Sequence, residues 1–151
     1  MKKTVQSVDE MLQFGKTLGA LLHGGEVIEL IGDVGAGKTT FTKGLAAGLG
    51  VVGDVQSPTF TISRIYPARD NLELAHYDFY RLHHPGVLKI EIEQTVHDAG
   101  MITVIEWGDI IEGVLPEERM RITLSAPSET VREIDIETHG ARLHELVQGL
   151  N

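Results

Sequence analysis

The chain has 151 residues, carries 13 Lys and Arg against 22 Asp and Glu for a formal net charge of −9, and contains no cysteine. That length suits one domain, residues 1–151, able to bury about two-thirds of its unfolded surface. The charge argues against a direct grip on a nucleic-acid backbone, which draws on clustered cations, and the missing thiols exclude disulfides, thiolate zinc sites and a cysteine nucleophile.

Met1 to Val8 is polar, unlike a secretory leader, and no apolar run approaches the length of a membrane span, so a soluble cytoplasmic protein is expected. Ser7-Val8-Asp9-Glu10 has the form of a capping box. Val8, Met11, Leu12, Leu18, Leu21 and Leu22 then recur at helical spacing, which predicts a helix from Val8 to about Leu22 ended by Gly24-Gly25. Its plain reading is a helix covering one face of a sheet.

Val27 to Ile31 is a short apolar strand, and Phe41 to Leu49 reads as a helix. Between them Gly32, Gly37, Lys38 and Thr39 satisfy the pattern G-x-x-x-x-G-K-S/T in the strand-to-helix context that the pattern requires. A polyphosphate needs several backbone N–H groups converging on it, and Gly32, Gly35 and Gly37 remove the Cβ atoms that would obstruct the approach. The following helix points its positive end at the same anion. Lys38 would reach the β- and γ-phosphates and the Thr39 hydroxyl a bridging magnesium ion, with Thr40 in the first turn.

Pro58 forces Ser57 out of the helical region and leaves Ser57, Thr59 and Thr61 on a loop after that helix. In many P-loop nucleotidases a switch hydroxyl occupies this position, so Ser57 or Thr59 is a candidate, against an ordinary turn. Ile62 to Tyr66 and Leu72 to Asp78 read as a hairpin-like pair of strands joined by a turn over Ala68 to Asn71. Asp78, at a strand end, is where such folds place a carboxylate beside the nucleotide's magnesium; His76 shares its face and could hydrogen-bond it. His83 and His84 before Pro85 look like a solvated turn without the spacing of a zinc site.

Val87 to Asp98 is spaced for a helix, although Lys89 to Glu93 also alternates like a strand. Met101 to Ile105 reads as a buried strand that delivers Glu106 and the only tryptophan, Trp107. Glu106 there could orient or deprotonate an attacking water, and an indole could stack on a base or dock a partner; the plain alternative is a strand terminus beside a packed ring. Leu115-Pro116-Glu117-Glu118 marks a turn, Met120 to Ser125 and Val131 to Glu137 two further strands, and Ala141 to Leu150 a closing helix.

Four segments, GDVGAGKTT (32–40), SPTFT (57–61), HYDFYRL (76–82) and IEWGD (105–109), stand in this order within one small domain and together resemble the bacterial TsaE family, also called YjeE. The resemblance runs from about Leu12 to Arg121. It implies a single-domain α/β P-loop ATPase with a mainly parallel central sheet, flanking helices and added antiparallel strands. The cofactors it implies are ATP and magnesium. The work it implies is support for threonylcarbamoyl transfer to the adenosine beside the anticodon of certain tRNAs, with TsaD and TsaB as partners and tRNA held indirectly through them.

Carried over, Asp33, Val34, Gly35, Ala36, Gly37, Lys38, Thr39 and Thr40 become the nucleotide cradle, joined by Thr59 and Trp107. Thr39, Asp78 and Glu106 become the magnesium residues, and Lys38, Asp78 and Glu106 the catalytic ones. Lys89-Ile90-Glu91-Ile92-Glu93 departs from the family's usual Glu-Leu followed by Gly. Two other readings compete. A small-molecule P-loop kinase would ordinarily carry a clustered arginine lid, and Arg64, Arg69, Arg81, Arg119, Arg121, Arg132 and Arg142 are scattered along the sequence. A regulatory GTPase would ordinarily show an N-K-x-D motif, which is absent.

Overall fold

A computed structural model describes residues 1–58 and 61–150 of the chain. Among these residues the strands are β1 (Lys2–Val5), β2 (Val27–Ile31), β3 (Ser63–Pro67), β4 (Glu73–Asp78), β5 (Met101–Glu106), β6 (Met120–Ser125) and β7 (Arg132–Thr138). The helices are α1 (Val8–Leu21), α2 (Lys38–Gly48), α3 (Leu88–Val96) and α4 (Ala141–Gln148), with tighter 3-10 turns at Arg69–Asn71 and Gly108–Val114. The strands form one sheet in the order β1-β7-β6-β2-β5-β4-β3. Its centre, β6-β2-β5-β4, is parallel, while β1, β7 and β3 join antiparallel.

The apolar runs of β2 and β5 make them central, since a strand covered on both faces has no reason to alternate. Every residue of β5 is buried. On one face Ile28, Leu30, Ile102 and Val104 pack with α1, α2 and α4; on the other Val27, Ala75, Tyr77 and Ile105 pack with α3 and the Gly108–Val114 turn. Burial pushes the Tyr77 phenol above its ordinary range; the Thr95 hydroxyl opposes the rise and the Glu91 charge adds to it. No helix among the described residues is long and apolar enough to cross a membrane.

The helix that follows the glycine loop is set close to α1 by glycines on both sides. A Cβ on Gly15 would lie 2.6 Å from the Phe41 carbonyl oxygen, and one on Gly44 would strike the Leu12 carbonyl. The Arg69 guanidinium then closes the ends of both helices by donating to the carbonyls of Gly19, Ala20, Leu22 and Gly48.

The structure departs from the sequence expectations at a few places. Polar Met1 to Val8 contains an edge strand, β1, paired Lys2↔Asp135 to Val5↔Arg132. Only Val5 of that strand is buried, so no apolar alternation announced it. The helix expected over 87–98 is present as Leu88–Val96, with Ile92 and Val96 inward, whereas Ile90, which the spacing had placed on its apolar side, is exposed. The 3-10 turn after Trp107 was not anticipated.

The close crossing gives a test whose sign opposes helix propensity. Alanine for glycine inside a helix ordinarily stabilises by about 1 kcal/mol. Gly44→Ala should instead destabilise by about 1–3 kcal/mol through overpacking, lowering Tm by several degrees in a thermal melt. A raised Tm would refute the contact.

Candidate active site

The site begins where β2 ends. A Cβ on Gly32 would lie 2.7 Å from the Leu124 carbonyl oxygen, so only glycine lets the chain leave the sheet there. Gly35 and Gly37 adopt φ of 87° and 103°, left-handed values that other residues rarely take. The Ala36 N–H donates to the Asp33 carbonyl at 3.0 Å, and α2 starts immediately after Gly37. No side chain caps that helix, which leaves its first N–H groups and the positive end of its dipole for an anion.

Lys38, 8% exposed, turns back over this loop. Its Nζ donates to the Gly32 carbonyl at 2.6 Å, lies 3.8 Å from Glu106 Oε1 and sits 4.4 Å from the centroid of the Trp107 ring. Glu106 ends β5, opposite Asp78 of β4 in the parallel register. The buried Glu106 carboxylate accepts from His76 Nε2 at 2.6 Å through Oε2. His76 shares the Asp78 face, as the alternation requires, but its partner is Glu106 and not Asp78. Asp78 Oδ1 accepts the Tyr80 N–H at 3.0 Å, and Ser57 Oγ lies 3.5 Å from Asp78 Oδ2. Trp107 takes a left-handed φ of 55° and packs against Tyr80 with centroids 4.9 Å apart.

These groups surround one cavity of about 710 Å³. Val34, Gly35, Gly37, Lys38, Thr39 and Thr40 form its floor, with Ser57, Asp78, Glu106 and Trp107 along one wall. Ala36 is not among the lining residues because its methyl is buried in the core; Asp33 is exposed outside the lining and contributes the turn carbonyl. Thr59 lies outside the described residues.

A further part of the wall was not foreseen. Gln6, Ser7, Val8 and Met11 come from the junction of β1 and α1, Glu129, Thr130 and Arg132 from the entry to β7, and Arg81 from beyond β4. Arg81 and Arg132, far apart in sequence, thus reach the same cavity. Arg132 Nη1 is fixed by the carbonyls of Ser128, Glu129 and Val131. The only sequence signal for this wall was the HYDFYRL segment, which contains Arg81.

Among the described residues no group of three or more His, Cys, Asp or Glu is placed to hold a metal ion. The oxygen donors Thr39 and Asp78 on the cavity wall nevertheless suit magnesium, which is ordinarily held by one or two carboxylates, water and substrate phosphates and not by an all-protein cage.

The family model described as threonylcarbamoyl adenosine biosynthesis protein TsaE matches residues 5–134. The chain is 38% identical over 144 residues to the tRNA threonylcarbamoyladenosine biosynthesis protein TsaE of Bacillus subtilis, covering 95% of this chain and 89% of that one. It is 38% identical over 137 residues to the protein of the same name from Treponema pallidum, covering 90% and 99%. The crystal structure of Bacillus subtilis YdiB superposes with a TM-score of 0.82 at 35% identity, covering 99% of this chain and 93% of that one.

The position of Lys38 over the sole indole makes a phosphate cradle observable without any enzymatic reaction. Inorganic tripolyphosphate should draw the ammonium off the ring and produce a saturable change in Trp107 fluorescence. Lys38→Ala should abolish the change; wild-type emission unmoved by the anion would count against the cradle.

Proposed function

Because this chain belongs to the TsaE family of tRNA threonylcarbamoyladenosine biosynthesis proteins, we propose that it is a cytoplasmic ATPase that binds ATP with magnesium and hydrolyses it in support of that modification, together with TsaB and TsaD. The observation that carries the ATPase reading is the convergence of Lys38, Asp78 and Glu106 on one cavity at the uncapped start of α2. Hydrolysis needs a phosphate cradle, a cation and a base within reach of the same phosphorus, and these residues have those chemistries.

The triphosphate lies along the amides of the glycine loop and the first turn of α2. Lys38 exchanges the Gly32 carbonyl for phosphate oxygens, a charge-assisted contact stronger than the neutral one it leaves. Thr39 and Asp78 are the residues that would hold magnesium, which when bound supplies charge neutralisation on the phosphates. Glu106 accepts a proton from the attacking water. The water oxygen bonds to the γ-phosphorus as the bond to the β,γ-bridging oxygen breaks, giving ADP and inorganic phosphate. Trp107 borders the region that Lys38 vacates.

Hydrolysis by this chain alone is expected to be slow and to rise when the partners are added, since a site of this kind is often completed by a group supplied in trans. The acidic net charge of −9 fits a subunit that leaves the tRNA to its partners.

Phosphate release measured with and without magnesium, by the protein alone and after addition of purified TsaB and TsaD, tests the reading. Glu106→Ala should keep nucleotide binding and lower kcat by about 10²- to 10⁴-fold. Asp78→Ala should weaken magnesium-dependent binding and turnover together, and Lys38→Ala should abolish both partner stimulation and tRNA modification. Modification that survives Lys38→Ala unchanged would sink the proposal. Phosphoryl transfer to a small molecule in place of water would favour a kinase, for which Arg81 and Arg132 at the cavity would be the natural clamp.

A further inference from the structure

We propose that His76 is a positioning residue for Glu106, holding its carboxylate in the orientation that water activation requires. The inference rests on Glu106 acting as the base in the proposed hydrolysis. His76 is 1% exposed in the middle of β4, two residues before Asp78 and on the same face of the sheet. Its Nε2 lies 2.6 Å from Glu106 Oε2, a short contact in which Nε2–H donates to the carboxylate. Its Nδ1 is buried without a hydrogen-bond partner among the described residues.

That asymmetry says what the ring is for. An apolar side chain could fill a slot in this core without leaving a buried nitrogen unpaired, a defect that costs stability. What imidazole adds over such a side chain is the single N–H aimed at Glu106. The other contact to this carboxylate is Lys38, 3.8 Å from Oε1, and Lys38 is the group that turns to the phosphates when a nucleotide binds. Once it has turned, the His76 N–H remains to restrain Glu106.

The same contact differentiates the two carboxylate oxygens. Oε2 is occupied by His76, so Oε1, on the Lys38 side, is the atom that receives the water proton. Asp78 needs no such support, because the Tyr80 N–H already holds its Oδ1.

The decisive variants separate the donor from the volume. Glutamine can place its amide nitrogen near the Nε2 position, whereas asparagine reaches only as far as Nδ1 and phenylalanine keeps the ring without a donor. His76→Phe and His76→Asn should lower kcat for ATP hydrolysis by about 10- to 100-fold, the size expected from a slightly misplaced catalytic group, while KM for ATP moves by less than about threefold. His76→Gln should recover most of the lost kcat. In a Glu106→Ala background His76→Phe should have no further effect, because the two residues act as a unit.

Thermal melts of each variant identify loss of folded protein, and the Gln and Asn variants, alike in polarity, keep the comparison meaningful if His76→Phe folds poorly. Active wild-type protein, an inactive Glu106→Ala and an unimpaired His76→Phe would overturn the His76 assignment alone. An equal loss of kcat in Gln and Asn, or a further loss from His76→Phe in the Glu106→Ala background, would do the same. Wild-type protein that releases no phosphate even with its partners would overturn the ATPase reading and this inference together.

Discussion

The parallel register of β5 is the constraint on which the rest of the site depends. β5 pairs with β2 on one side, Leu30↔Glu106, and with β4 on the other, Asp78↔Glu106. Glu106 therefore emerges between the strand that feeds the glycine loop and the strand that carries Asp78. Side chains alternate with a period of two, so a slip of one residue would turn Glu106 to the opposite face and remove it from Lys38. Because both faces of β5 are packed, its register is set by the fit of its side chains and its pairing with β2 and β4, not by apolar alternation. The placement of Glu106 is in this sense tied to core packing.

A buried carboxylate at that position creates an electrostatic problem that the structure answers locally. Glu106 is 3% exposed, and an unpaired charge so placed would cost several kcal/mol. The Lys38 ammonium and the His76 N–H offset that penalty in this structure. Lys38 in turn is held by the Gly32 carbonyl and the face of Trp107, where a cation is worth about 0.5–2 kcal/mol. The ammonium is thus held inside the cavity by a carbonyl, a carboxylate and an aromatic face.

Much of this was legible before the structure. The glycine pattern with its flanking strand and helix, the strand endings at Asp78 and Glu106 and most element boundaries follow from periodicity and turn chemistry, because each is encoded within a few neighbouring residues. Long-range matters were hidden. The strand Lys2–Val5 carries no apolar alternation and exists because β7 offers it an edge. Arg132 and Gln6 reach the cavity only through that pairing at the far end of the chain. The partner of His76 could not be read from alternation, which gives a face but not the neighbour across it; the β4–β5 register had to be known to select Glu106 over Asp78. Trp107 was conspicuous as the sole indole, whereas its left-handed backbone and its contact with Lys38 are tertiary facts.

Charge is arranged on two length scales. The molecule as a whole carries −9 and repels polyanions at a distance. Screening confines that repulsion to about 8 Å at physiological salt, so what happens inside the cavity is decided by groups that touch the ligand. The cationic side chains on the cavity lining are Lys38, Arg81 and Arg132, beside the uncapped amides at the start of α2. A compact polyphosphate can enter and meet several of them at once. Cationic side chains and uncapped amides are thereby gathered near the end of β2, where Gly32 lets the chain turn out of the sheet.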